Sequence, residues 1–110
     1  MNMIITEQEI QNAFASLDDA TLRAAIAINE ESLDRTNLDV AKSELLASGQ
    51  IDGKNAEIRE GQIKDKLAPL YAQLALKQEE VTRCRNVLNR AQIDVDRVKT
   101  LLRLMEVLKP

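Results

Sequence analysis

The chain has no histidine and no tryptophan, and its 110 residues include only one cysteine, two aromatic rings, two prolines and three glycines. Each scarcity excludes something. Without histidine it lacks the commonest general base near neutral pH and the commonest zinc or iron ligand, which counts against an enzyme or a histidine-ligated metal centre. With Phe14 and Tyr71 as the only rings, the interior has to be filled by Leu, Ile, Val and Ala. That filling suits helix seams rather than a sandwich or an enzyme cleft. So few glycines and prolines leave few places to turn, so the elements should be few and long. The lone Cys84 cannot staple a fold, and its place in an apolar stripe suits a reducing cytosol. No run of 18 apolar residues is present, and Met1 to Ile10 lacks the basic start and long apolar core of a signal peptide. The expectation is a soluble, cytoplasmic, all-α protein without a cofactor or metal.

What the chain does have is a heptad stripe. Written abcdefg, the a positions are Leu67, Leu74, Val81, Leu88, Val95 and Leu102, and the d positions are Leu70, Lys77, Cys84, Ala91, Val98 and Met105. Only Lys77 interrupts it. A 3.5-residue repeat kept this long implies a helix supercoiled around a partner, because a straight helix of 3.6 residues per turn would carry the stripe out of contact.

Three helices are expected in a single domain spanning 1–110. Thr6 and Glu9 form a capping-box pair with Ile5 and Ile10 as a hydrophobic staple, opening a first helix over 7–17. Asp18 and Asp19 can cap, and Phe14 and Leu17 point away from Leu22, Ile26, Leu33 and Val40, so a break near Leu17 and a second helix over 19–47 are expected, the alternative being one continuous helix whose two ends bury different faces. Gly49 should end that helix and Asp52 can cap the next, leaving a connection from Ser48 to Asp52 and an antiparallel hairpin of unequal arms. Helix three should then run over 53–108, kinked by Pro69 near Asp65 to Ala68 rather than broken.

Reach points to an interface. Helix three would span about 84 Å and helix two about 43 Å at 1.5 Å per residue. Folding back from the turn places Leu33 near Leu67 and Ile26 near Leu74, and helix two is exhausted beyond about Val81. The remaining seam, formed by Val81, Cys84, Leu88, Ala91, Val95, Val98, Leu102 and Met105, would be exposed, and soluble monomers rarely tolerate such a patch. A homo-oligomer, with a dimer favoured, or a protein partner joined through these residues is expected. A parallel pairing would set Glu80 against Arg85 and Asp94 against Lys99, and would face two copies of Cys84 across the seam.

Other motifs read plainly. The tract GQIDGKN at 49–55 lacks the spacing of a phosphate loop and serves as a helix connection. Glu30, Glu31 and Asp34 form an acidic face but lack the histidines of a di-metal site. Arg83, Arg90 and Arg97 recur every seven residues and could track phosphates, although no ring interleaves them to stack bases. Residues 1–70 carry 13 acidic and 7 basic side chains, whereas 71–110 carry 5 and 8, so the two parts have opposite net charge.

The tract LLASGQIDGKNAEIRE followed by the long heptad helix resembles the small helical-hairpin, coiled-coil proteins of bacteriophage and prophage genomes. The likeness covers Ala41 to Leu108 and implies the hairpin fold. It carries over no functional residue. The expected function is therefore non-enzymatic, that of a scaffold, adaptor or assembly factor, with nucleic-acid binding through the arginine stripe as the alternative.

Overall fold

The computed structural model describes residues 5–108; Met1 to Ile4, part of the stretch read for a leader, and Lys109 and Pro110 lie outside the described residues. Among the described residues the protein is all-helical, with α1 (Glu7–Ala47), α2 (Ala56–Lys66) and α3 (Ala68–Val107) and no strand.

Helix α1 begins at the expected capping box. The Glu9 N–H donates to Thr6 Oγ1 at 3.1 Å, and the Thr6 N–H reaches Glu9 Oε2 at 3.4 Å. It then continues to Ala47, so the expected break at Leu17 is corrected. Its buried and half-buried positions show why. Ile10, Ala13, Leu17, Ala20, Ala24, Ala27, Glu31, Asp34, Leu38, Ala41 and Leu45 follow one another at alternating spacings of three and four without a phase jump. Asp19 is no cap but an exposed partner for Arg23 one turn on, at 2.9 Å.

The connection occupies residues 48–55, longer than the expected Ser48–Asp52. Gly49 takes a positive φ of 76°, the left-handed conformation that closes a helix. The cap of α2 is Asn55, whose side chain accepts from the Ile58 N–H at 2.9 Å, and not Asp52. Asp52 instead accepts from the Gln62 amide at 2.8 Å, while that same amide's oxygen receives the Gly53 N–H at 2.9 Å. Arg59 adds a bond to the Gly53 carbonyl at 3.1 Å. The chain approaches so closely here that a Cβ on Gly53 would lie 2.7 Å from Ile58 Cγ2 and 2.9 Å from the Arg59 nitrogen.

Helices α2 and α3 meet at Leu67, which correctly falls in the 65–68 window but separates two helices instead of kinking one. Leu67 has φ −107° and ψ 21°, and its N–H still donates to the Ile63 carbonyl. Its own carbonyl accepts from Leu70 and Tyr71, at 3.0 and 3.1 Å, so no polar side chain is needed to start α3. Pro69 sits in the first turn, where a missing N–H costs nothing.

The chain forms two compact units, one from residues 1–26 with 82–110 and the other from 27–81. In the first, Asp19, Ala20 and Arg23 border Arg83, Cys84 and Val87, while Glu9 and Asn12 border Asp94 to Leu101. Early α1 residues thus meet late α3 residues, and the helices run antiparallel. Ala20, Ala24, Cys84, Ala91, Val95 and Val98 are buried there, Val95 completely. In the second unit, Glu30 meets Lys77 at 3.0 Å and Asp34 meets Gln73 at 3.3 Å, so four residues forward on α1 match four back on α3. This pairing is antiparallel too. Its register is about two turns from the expected one, which had placed Leu33 near Leu67. Ala27, Leu38 and Val81 are its buried residues.

Candidate interaction surface

The stripe read along α3 does face inward. Leu67, Leu70, Leu74 and Lys77 are half-buried, and Val81, Cys84, Ala91, Val95 and Val98 are buried. Leu88 and Met105 are half-buried, Leu102 is 37% exposed, and the neighbouring Leu101 turns toward α1 in its place.

This burial corrects the reason for placing an interface on these residues. The seam was expected to lack a partner beyond Val81 because the second helix would stop at Asp19. Since α1 extends to Glu7, its first part covers Cys84, Ala91, Val95 and Val98 from within the same unit. Cys84 accordingly packs beside Ala20 and Arg23 of its own chain. Of the residues predicted as an interface, Cys84, Ala91, Val95 and Val98 are thus covered from within the chain, while Leu102 stays 37% exposed, and facing two Cys84 thiols across a parallel dimer would require that cover to open.

The apolar surface lies elsewhere. Leu22, Ile26, Leu33 and Val40, the set expected to form the hairpin seam, are outward, with Leu22 and Leu33 each 60% exposed. Over its middle turns helix α1 therefore places Ala20, Ala24 and Ala27 inward and Leu22, Ile26 and Leu33 outward, whereas Leu38 further on is buried. Small side chains let two helices approach closely, and Ala20 and Ala24 pack at the seam of the first unit, which Cys84, Ala91, Val95 and Val98 line from α3. The first unit also exposes Ile93 and Val107 of α3, and the second exposes Leu76. The regular spacing of Ala13, Ala20, Ala24, Ala27 and Ala41 was the sequence signal for the true inner face.

Charge is divided between the units. Residues 1–26 and 82–110 hold 8 basic and 7 acidic side chains, and residues 27–81 hold 7 and 11. Arg83, Arg90 and Arg97 are exposed on α3 in the first unit. Arg97 borders a shallow groove together with Glu9, Asn12, Ser16 and Asp94, so acidic groups stand beside part of the stripe. In the second unit the acidic face is engaged: Glu30 holds Lys77, Glu31 holds Arg35, and Asp34 accepts from Gln73. The hydrogen bond to Glu30, and then its charge, hold the Lys77 ammonium above its ordinary value. Lys42 lies 5.2 Å from the centroid of the Tyr71 ring, in cation–π range.

Among the described residues no three His, Cys, Asp or Glu side chains are placed to share a metal ion, and no helix is long and apolar enough to cross a membrane. No family model, curated protein or solved structure matches the chain.

Proposed function

We propose that this protein is a non-enzymatic scaffold or assembly factor that acts by presenting helix faces to protein surfaces, copies of itself included. The observation that carries this reading is the inverted pattern of α1, with Leu22 and Leu33 each 60% exposed while Ala20, Ala24 and Ala27 are buried. Burying apolar area is worth roughly 25 cal/mol per Å², so a helix that needed only its intramolecular partner would gain by turning the leucines inward. Large aliphatics held outward at helical spacing are the usual mark of a second contact. In this reading α1 and α3 pair as an antiparallel coiled coil within each unit, and association uses the outward residues, not the seam covered at Cys84, Ala91, Val95 and Val98.

Light scattering across a concentration series tests it. Association of the wild type at micromolar concentration, weakened by Leu33→Ser with the thermal melt unchanged, is the expected result. A wild type that keeps the mass of one chain throughout would remove self-association from the proposal. A second reading, nucleic-acid binding, draws on the exposure of Arg83, Arg90 and Arg97. It requires retention of single- or double-stranded nucleic acid that falls steeply with salt.

A further inference from the structure

We infer that the occupant of the acidic outward face of α1 in the second unit is the arginine-bearing outward face of α3 from another copy of this chain. The inference rests on the self-association proposed above and adds which surfaces meet.

The α1 face centres on Leu33 and Val40, 60% and 51% exposed, with Glu30 and Glu44 flanking them fourteen residues apart. On α3 in the first unit, Ile93 is 66% exposed, and Arg83 and Arg97 flank it, also fourteen residues apart. Both charged pairs therefore span about 21 Å along their helices at 1.5 Å per residue. An antiparallel approach that sets Arg97 against Glu30 brings Arg83 to Glu44 and leaves Ile93 one residue, about 1.5 Å, from level with Leu33. One register serves both charged pairs and keeps the two aliphatic residues within reach of each other. The middle positions, Arg90 and Asn37, oppose without like charges. Glu30 already receives Lys77 and Arg83 is also engaged within its own chain, but a carboxylate has lone pairs for more than one donor and a guanidinium has five N–H groups.

The two faces are different surfaces, so the contact is heterologous: each copy offers one of each, and addition continues unless the rotation closes a ring. Apolar contact at the centre with charged pairs at the flanks also makes the association dependent on ionic strength.

Charge exchange between variants tests this. The wild type should show a mass that climbs with concentration and requires roughly tenfold more protein for the same association in high salt. Arg83→Glu with Arg97→Glu, and separately Glu30→Arg with Glu44→Arg, should each stay at the mass of one chain, since each sets like charges face to face. Mixing the two should restore association, because every contact is then opposite in sign. Circular dichroism checks that both variants keep the wild-type helicity, and Glu44→Arg alone, which spares the Glu30–Lys77 pair, gives a smaller loss if the double variant does not fold. Variants that associate like the wild type would overturn this pairing while leaving self-association intact. So would variants that stay apart when mixed. A wild type that never exceeds the mass of one chain would overturn both.

Discussion

The two compact units use the same two long helices and build opposite kinds of seam. In the first, residues 1–26 with 82–110, the buried positions are all small or apolar: Ala20, Ala24, Cys84, Ala91, Val95 and Val98. In the second, residues 27–81, the equivalent heptad positions include Glu31, Asp34 and Lys77, and only Ala27, Leu38 and Val81 are buried. A dry, closely packed seam supplies stability, since each buried aliphatic contributes a few kcal/mol. Partly exposed ion pairs supply much less, a median of about 0 to 1 kcal/mol, but they fix register. The difference assigns stability to one unit and alignment to the other.

The sharpest way to break this contrast is to place charge in each seam. Val95→Asp should cost more than about 3 kcal/mol and abolish the cooperative thermal transition, because an unpaired carboxylate would occupy a site with 0% exposure. Asp34→Val, the opposite exchange in the second unit, should leave the melt unchanged or raise it slightly. A melt as damaged by the second as by the first would refute the division.

Next in size is Gly53→Ala. Its Cβ would lie 2.9 Å from backbone at Arg59, so either α2 or the connection has to shift, at a cost of about 1–3 kcal/mol by chemical denaturation. Hydrogen exchange then compares the seams directly. Amides near Val95 should exchange at least about tenfold more slowly than those near Asp34, as low-stability regions open first. Equal protection would mean that the units open together.

The smallest effect concerns Lys77. Its folded pKa is raised above 10.5 by the hydrogen bond and charge of Glu30. The associated stability is therefore fully present below the unfolded value and is lost as pH rises through the folded one. Lys77→Met should leave neutral stability nearly unchanged and flatten the alkaline end of the stability profile of the second unit, read by urea titration. An unaltered alkaline profile would show that the pair contributes nothing to folding.

Much of this was legible in the sequence for identifiable reasons. The α3 stripe was readable because its residues are large and regularly spaced, and Thr6 with Glu9 was readable because the capping box is local chemistry. Helix α1 was misread because hydrophobic weight follows side-chain size. Leu22, Ile26, Leu33 and Val40 outweigh Ala20, Ala24 and Ala27, yet close packing selects small residues at the seam. The apparent phase jump at Leu17 arose from following the leucines, and it disappears along the alanines. The argument for an interface at Val81 to Met105 rested on the same shortening, since a shorter α1 would leave the end of α3 bare. Asp52 and Asn55 are equally good caps by type, and only the bonds of Gln62 decide between them.

Cys84 is 6% exposed and stands in the dry seam of the first unit. Thiol reagents attack only a sulfur they can reach, so its alkylation rate, divided by that of the unfolded chain, reads the fraction of molecules in which the seam is open. The protein thus carries a chemical clock inside the seam of its first unit. Any partner that holds the two helices together, or pries them apart, will change the rate at which it runs.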